Sequence, residues 1–111
     1  MSINIKANEL ARGIIESDEF KEFKQSKLSI ERNRSYQSSI KAFREKQMEL
    51  YASLGNSKGS DSVKVEALKE YHNNLIKNAY IKRYLDAEKK FNDLVSDLFK
   101  TINNKIQNSL K

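Results

Sequence analysis

The sequence predicts an all-α protein, an antiparallel bundle of about five helices that ends in one long C-terminal helix. Proline is absent and only three glycines occur in 111 residues, so few positions interrupt a helix. In the middle of the chain, five apolar or aromatic residues and one glutamine recur at spacings of four, three, four, three and four. This spacing places side chains along one seam of a helix. The seam consists of Tyr36, Ile40, Phe43, Gln47, Leu50 and Leu54.

The first two helices follow from apolar periodicity and a capping residue. The first is predicted over residues 4–16, and the second runs to residue 32. Ser17 is predicted to cap the second helix, where Asp18 and Glu19 suit the positive end of the helix dipole. The apolar face of the first helix comprises Ala7, Leu10, Ala11 and Ile14. The second is expected to bury Phe20, Phe23, Ile30 and either the stem of Lys27 or Leu28.

Asparagine and a polar loop divide the rest of the chain. Asn33 either caps the third helix or lies in a bend of a continuous one, and the seam ends near Leu54. Residues 55–62 are predicted to form a loop, because they hold two glycines and no apolar residue. Asp61 or Ser62 is the predicted cap of the fourth helix, and Asn78 either closes that helix or caps the last one. The fourth helix presents on one face Val65, Leu68, Tyr71 or His72, and Leu75.

The last helix is predicted over residues 79–109. About 30 residues span about 45 Å, whereas a compact domain of this length is about 34 Å across. Part of its apolar stripe would therefore extend beyond the bundle, and large exposed apolar patches usually mark interfaces. We expect a homo-oligomer, most simply a two-fold dimer, built from a single domain of residues 1–111. The stripe comprises Ile81, Tyr84, Leu85, Phe91, Leu94, Val95, Leu98, Ile102 and Ile106.

The residue content argues against an enzyme. The chain has no cysteine, which excludes disulfides, thiolate metal sites and cysteine nucleophiles. His72 is the only histidine, and Leu68 and Ile76 stand four residues either side of it, where a triad or zinc site would need a carboxylate. We expect no catalytic residue, cofactor or metal. No apolar run reaches the length of about 20 residues that spans a bilayer, and the N-terminus lacks a signal-like apolar run, so a cytoplasmic location is expected.

The net charge of +6 leaves two interpretations open. The first is a set of solvated helix faces, because basic residues never run longer than two and acidic residues lie among them. The second is contact with RNA or DNA. The five tyrosines carry the same ambiguity, since tyrosine stacks on bases but also fills helical cores with its hydroxyl in water.

Several segments resemble the YlbF/YmcA family of small helical bacterial proteins. The N-terminal part is similar in ANELA at residues 7–11 and SDEF at 17–20. The central part is similar in FREKQMEL at 43–50, and the C-terminal part in Asn78 followed by YLDAE at 84–88. Ala79 stands where many members have proline, which should leave the fold intact with a less sharply fixed helix start. Some members carry an iron–sulfur cluster on cysteines, a role that this chain cannot share.

The resemblance implies a non-enzymatic, cytoplasmic regulatory or adaptor protein that self-associates and acts through protein–protein contacts. Better-known members act in competence, sporulation and biofilm development, in a complex that associates with RNase Y and influences RNA processing. The predicted partners are therefore a second copy of the chain and an RNase Y-associated protein complex. The alternative function is that of a basic RNA- or DNA-associated helical protein, and no membrane partner is expected.

The candidate interface or motif residues come from the seam and the last helix. Arg44 either forms a bidentate fork with a carboxylate such as that of Glu88 or stays solvated and packs through its stem. Gln47 is expected to need a buried hydrogen-bond partner at the helix packing surface. The full set is Phe43, Arg44, Gln47, Leu50, Tyr84, Glu88, Phe91, Leu98 and Ile102.

Overall fold

The computed structural model describes residues 2–54 and 61–111, which form five α-helices. No strand occurs within these two ranges. The all-α prediction is confirmed, and so is the long C-terminal helix, which has the predicted bounds. The predicted loop lies in large part outside the described residues, as do the side chains of Leu54 and Asp61, so the cap of the fourth helix stays a prediction. The helices are α1 (Ile3–Ile15), α2 (Asp18–Glu31), α3 (Arg34–Leu54), α4 (Asp61–Leu75) and α5 (Ala79–Ser109).

Serine side chains fix the starts of α1 and α2. Ser2 Oγ accepts a hydrogen bond from the backbone N–H of Asn4 at 3.0 Å. Ser17 Oγ accepts from the backbone N–H of Phe20 at 3.2 Å and donates to the carbonyl oxygen of Ile14 at 2.6 Å. Ser17 thus satisfies an amide at the start of α2 and a carbonyl at the end of α1, which confirms the predicted cap.

Asparagine side chains fix the starts of α3 and α5. Asn33 Oδ1 accepts from the backbone N–H of Tyr36 at 3.1 Å, so α3 starts as a separate helix and does not continue α2 through a bend. Asn78 Oδ1 accepts from the backbone N–H groups of Tyr80 at 3.0 Å and Ile81 at 3.1 Å, so Asn78 caps α5. Both open alternatives of the sequence are thereby decided in favour of capping.

The chain divides into two compact units whose boundaries fall inside α2 and α5. Unit 1 comprises Met1–Lys27 and Tyr84–Lys111, and unit 2 comprises Leu28–Arg83. Unit 1 therefore contains α1 with most of α2 and α5, whereas unit 2 contains all of α3 and α4. The single domain of residues 1–111 stays a prediction.

Unit 2 has a core in which α3 and α4 pack antiparallel. The Phe43 ring lies 6.2 Å from the Tyr71 ring, nearly parallel to it, and 5.4 Å from the His72 ring. Tyr71 Oη donates to the carbonyl oxygen of Ser39 at 3.4 Å, which joins the start of α3 to the end of α4. The predicted seam faces this core, because its described residues are buried or half-buried. The buried apolar residues of unit 2 are Ile30, Ile40, Phe43, Leu50, Leu75 and Ile81.

Unit 1 is held by aromatic contacts between α2 and α5. The Phe23 ring stacks on Tyr84 at 5.8 Å and on Phe91 at 5.3 Å, and Phe20 meets Phe91 edge to face at 5.7 Å. Such aromatic pairs add about 0.5–1.5 kcal/mol each beyond the area that they bury. Because Phe20 pairs with the later residue Phe91 and Phe23 also reaches the earlier residue Tyr84, α2 and α5 run antiparallel here.

The interior face of α2 differs from the prediction at one turn. Ser26 is fully enclosed, with 0% of its surface exposed, and its Oγ donates to the carbonyl oxygen of Phe23 at 2.9 Å. Lys27 is exposed and Leu28 is 44% exposed, so the prediction that one of them is buried is wrong. The reason is helical geometry: residues three and four apart share a face, which groups Ser26 with Phe23 and Ile30 and turns Leu28 away.

Candidate interaction surface

The C-terminal part of α5 exposes an apolar stripe. From Phe99 to Lys111 every residue is exposed, although the segment up to Ser109 is a continuous helix. Phe99 is 60% and Ile106 52% exposed, with Ile102 between them. Residues three and four apart on a helix share one face, so these three side chains form one stripe, and Leu110 follows after four more residues.

The N-terminal helix α1 also leaves its apolar side chains in water. None of its thirteen residues is buried, and Ile3 is 81% exposed. The predicted face is therefore exposed as well, apart from Ile14, which is half-buried. We refer to the exposed apolar residues of α1 and the C-terminal part of α5, all within unit 1, as the apolar surface. It comprises Ile3, Ile5, Leu10, Ile15, Phe99, Ile102, Ile106 and Leu110.

The candidate residues on α5 change gradually from core to surface. Tyr84 is buried, and its hydroxyl donates to Glu88 Oε2 at 3.3 Å, which holds that half-buried carboxylate on the same face. Phe91 and Leu98 are half-buried, and Ile102 is exposed. The stripe predicted for the last helix therefore has two roles: its first half contacts α2, and its second half has no covering side chains within the described residues.

The candidate residues on α3 belong to the core of unit 2. Phe43 and Leu50 are buried, whereas Arg44 and Gln47 are half-buried. The conserved-looking resemblance segment at 43–50 thus contributes packing through its first and last residues. The fork between Arg44 and Glu88 and the buried partner of Gln47 stay predictions.

An open groove between α3 and α4 is the largest opening on unit 2 that combines apolar and charged walls. Its volume is about 260 Å³, and Lys46 Nζ lies 5.4 Å from the centroid of the Tyr71 ring at its wall. His72 lines a separate opening beside Phe43. No described group of three or more His, Cys, Asp or Glu residues could hold a metal ion. The groove is lined by Lys46, Glu49, Leu50, Lys64, Ala67, Leu68 and Tyr71.

Sequence reasoning missed two features of the surface. The exposed residues of α1 and Phe99 carry an apolar signal in the sequence, but periodicity gives a face and not its covering. The second feature is a stacked pair, in which the rings of Tyr36 and Tyr80 lie 6.0 Å apart at an angle of 25°. No local pattern announces this contact, because the two tyrosines belong to different helices.

Within the described part of the chain, no helix combines the length and the apolarity needed to cross a bilayer.

A family model matches nearly the whole chain. The model is described as "Control of competence regulator ComK, YlbF/YmcA", and it matches residues 3–107. The chain therefore belongs to the YlbF/YmcA family, a family of regulatory proteins, and the resemblance found in the sequence is confirmed.

The chain is also similar to proteins of the UPF0342 group. It is 34% identical over 96 residues to UPF0342 protein STH1710 of Symbiobacterium thermophilum, which covers 86% of each chain. It is 33% identical over 101 residues to a UPF0342 protein of Caldicellulosiruptor bescii, covering 91% of this chain and 85% of the relative. A UPF0342 protein of Caldicellulosiruptor saccharolyticus is 31% identical over 96 residues, with 86% and 80% covered. No solved structure matches the chain at a significant level.

Proposed function

We propose that this member of the YlbF/YmcA family is a non-enzymatic, cytoplasmic regulatory or adaptor protein that acts as a homodimer through protein–protein contacts. The observation that carries the proposal is the apolar surface of unit 1. Phe99, Ile102 and Ile106 form a continuous stripe on a regular helix, unlike the isolated exposed apolar residues that most proteins have. A stripe of this kind is stabilised when a second helix covers it.

A second copy of the chain is the simplest covering partner. In a two-fold dimer each subunit offers the same surface, so one stripe can pack on its own equivalent. Stable interfaces bury about 1,200–2,000 Å² in total, and buried apolar area contributes about 25 cal/mol per Å² before the costs of association. The stripe of α5 would form the centre of the interface, and the exposed residues of α1 enlarge the area available to it.

The regulatory role rests on the family, which is described by its control of the competence regulator ComK. Regulation of this kind requires contacts with other proteins. We include in the proposal an RNase Y-associated complex as partner, as the resemblance implies. The exposed polar faces of the helices are available for such contacts while the apolar surface is covered in the dimer.

Light scattering during gel filtration tests the homodimer. At about 10 µM protein, we expect twice the chain mass of 12.9 kDa. The double variant Ile102→Glu/Ile106→Glu should be monomeric, because dimerisation would bury unpaired carboxylates, and its dimer dissociation constant should rise at least about 100-fold. Circular dichroism should show unchanged helix content, since both residues are exposed.

Met48→Glu is the matched control. Met48 is an exposed apolar residue on α3 in unit 2, outside the apolar surface. The control variant should remain dimeric. A wild-type chain that elutes with a mass of 12.9 kDa at this concentration contradicts the proposal, and so does a double variant that stays dimeric.

Affinity purification tests the regulatory part separately. The tagged wild-type chain, expressed in its native cell, should retain other proteins in addition to untagged copies of itself. Recovery of only its own copies would favour a purely structural oligomer and contradict the adaptor role.

A further inference from the structure

Two helix starts meet at one end of unit 2. Tyr36 lies in the first turn of α3 and Tyr80 in the first turn of α5, and their rings stack at 6.0 Å. This contact brings the turn between α2 and α3 beside the turn between α4 and α5. We refer to residues 32–36 and 77–83 together as the basic tip.

The basic tip carries a local excess of positive charge. Its two segments contain five basic residues and no acidic one. Arg32, Arg34 and Lys77 are exposed, as is Lys82, while Arg83 is half-buried. The helix dipoles of α3 and α5 also direct their positive ends toward their first turns and add to this potential.

The charge of the whole chain is unevenly divided between the two units. Unit 2 contains eleven basic and six acidic residues, whereas unit 1 contains ten basic and nine acidic residues. Most of the net charge of +6 therefore belongs to unit 2. Evenly solvated helix faces would not produce this division.

The tyrosine pair gives the basic tip a fixed aromatic face. Tyr80 is 56% exposed, and Tyr36 is half-buried beneath it. The backbone of each tyrosine is held by a cap, Asn33 for Tyr36 and Asn78 for Tyr80. Tyr80 therefore presents its ring to solvent with little freedom to lose when a ligand stacks on it.

We propose that the basic tip binds single-stranded nucleic acid. Arg32, Arg34 and Lys77 contact the phosphates of the backbone, and a base stacks on the exposed face of Tyr80. Proteins that bind single strands without sequence preference combine these two elements, a basic track and aromatic side chains. This proposal is independent of the homodimer, since it uses residues of unit 2 only.

The composition of the tip favours a nucleic acid over an acidic protein segment. The centres of protein–protein interfaces are depleted of charge and rich in apolar and aromatic residues. Among the described residues of the tip, Tyr80 is the only large apolar or aromatic side chain that is exposed. Its other exposed groups are polar or basic, as a phosphate backbone requires.

Fluorescence anisotropy with a labelled single-stranded RNA tests the proposal. The probe is a 12-nucleotide RNA of mixed sequence, titrated with the full-length chain at about 50 mM and about 150 mM salt. The triple variant Arg32→Gln/Arg34→Gln/Lys77→Gln should bind at least about tenfold more weakly at the lower salt, and its dependence of log K on log salt should flatten by about 2, because each lost phosphate contact on a single strand removes about 0.7.

The stacking step has its own pair of variants. Tyr80→Leu keeps apolar bulk but removes the aromatic face, and it should weaken binding about fivefold or more. Tyr80→Phe keeps the ring and should bind the RNA like the wild-type chain. Equal binding by all three proteins would overturn the stacking role of Tyr80.

The matched control removes the same charge from unit 1. Lys21→Gln/Lys24→Gln/Lys90→Gln neutralises three exposed lysines outside the tip and should retain RNA binding to within about twofold. Equal weakening by the two triple variants would show diffuse attraction and overturn the tip as the site. Absence of RNA binding by the wild-type chain at about 50 mM salt would overturn the proposal altogether.

A labelled 12-residue polyglutamate peptide separates the two classes of partner. The peptide should bind more weakly than the RNA, since it offers no base to stack. If the peptide binds more tightly than the RNA and the tip variant loses that binding, the tip is an acidic-protein site and the proposal is wrong. Thermal melts by circular dichroism should show wild-type stability for every variant, because all the changed side chains are exposed.

Discussion

The two units of the chain differ in where their apolar side chains lie. In unit 2 six described apolar residues are buried, from both ends of the α3–α4 pair and from the adjoining turns of α2 and α5. In unit 1 only Tyr84 and Ala87 are, while eight large apolar residues are exposed. Unit 2 therefore has a core of its own. Unit 1 has an aromatic contact between two helices and an apolar surface that its own helices leave in water.

The units also differ in charge, and in the opposite sense. Unit 2, which buries its apolar groups, carries most of the basic excess, whereas unit 1 is nearly neutral. A nearly neutral apolar surface suits association with an identical copy, because like charges do not oppose it. A basic surface on a self-sufficient core suits an anionic partner. The comparison indicates that one small chain separates two kinds of binding between its two units.

The largest expected effect compares a core residue of unit 2 with a surface residue of unit 1. Phe43→Ala removes a buried ring that contacts Tyr71 and His72, and it should lower the free energy of unfolding by about 3–5 kcal/mol. Phe99→Ala should change the free energy of unfolding by less than about 0.5 kcal/mol in dilute protein. Urea unfolding followed by circular dichroism measures both.

Protein concentration provides the control for this comparison. If the apolar surface forms a dimer, the melting temperature of the wild-type chain rises with concentration, and Phe99→Ala reduces that rise. Phe43→Ala should lower the melting temperature at every concentration. A loss for Phe99→Ala as large as that for Phe43→Ala at about 1 µM would mean that the chain covers Phe99 by itself.

A smaller effect is expected at the one fully enclosed side chain of unit 1. Ser26→Leu inserts three carbon atoms where no surface is exposed, and overpacking of this kind costs about 1–3 kcal/mol. Ser26→Ala is the control at the same position. It should stay within about 0.5 kcal/mol of the wild type, because the hydroxyl only contacts a carbonyl of its own helix and alanine favours helix.

Thermal unfolding of the two Ser26 variants measures how tightly unit 1 is packed. The prediction requires that leucine be much worse than alanine. Equal stability of the two would mean that α2 and α5 move apart easily in unit 1, and the contrast with the core of unit 2 would then be greater than the burial suggests.

The smallest effect is expected in α1. Gly13 lies inside this helix, and an added Cβ atom would meet no atom within 4 Å. Gly13→Ala should raise the free energy of unfolding by about 0.5–1 kcal/mol, because alanine loses less backbone freedom on folding. Ala11→Gly, at an exposed position of the same helix, should lower it by a similar amount.

The two α1 variants also test whether this exposed helix takes part in folding. Denaturant unfolding should show opposite changes of similar size. No change in either variant would mean that α1 is helical only marginally and adds nothing to the stability of unit 1.

Local signals in the sequence were sufficient for the helices. Ser17 and Asn78 cap the helices that follow them because each side chain bonds an amide only two or three residues away. The seam on α3 was recognisable for the same reason, since its periodicity spans one element. The family was recognisable from short segments, of which the central one supplies Phe43 and Leu50 to the core.

The tertiary structure decided which of the apolar faces are covered. Hydrophobic periodicity gives the direction of a side chain relative to its helix axis, but it does not state whether another helix lies there. The face of α1, the burial of Ser26 in place of Leu28, and the exposure of Ile102 beyond half-buried Leu98 all depend on that second helix. The pairing of Tyr36 with Tyr80 depends on chain segments distant in sequence. The sequence by itself thus determined the helices, their caps and the family, because those depend on neighbouring residues, whereas the apolar surface and the basic tip depend on how the helices meet.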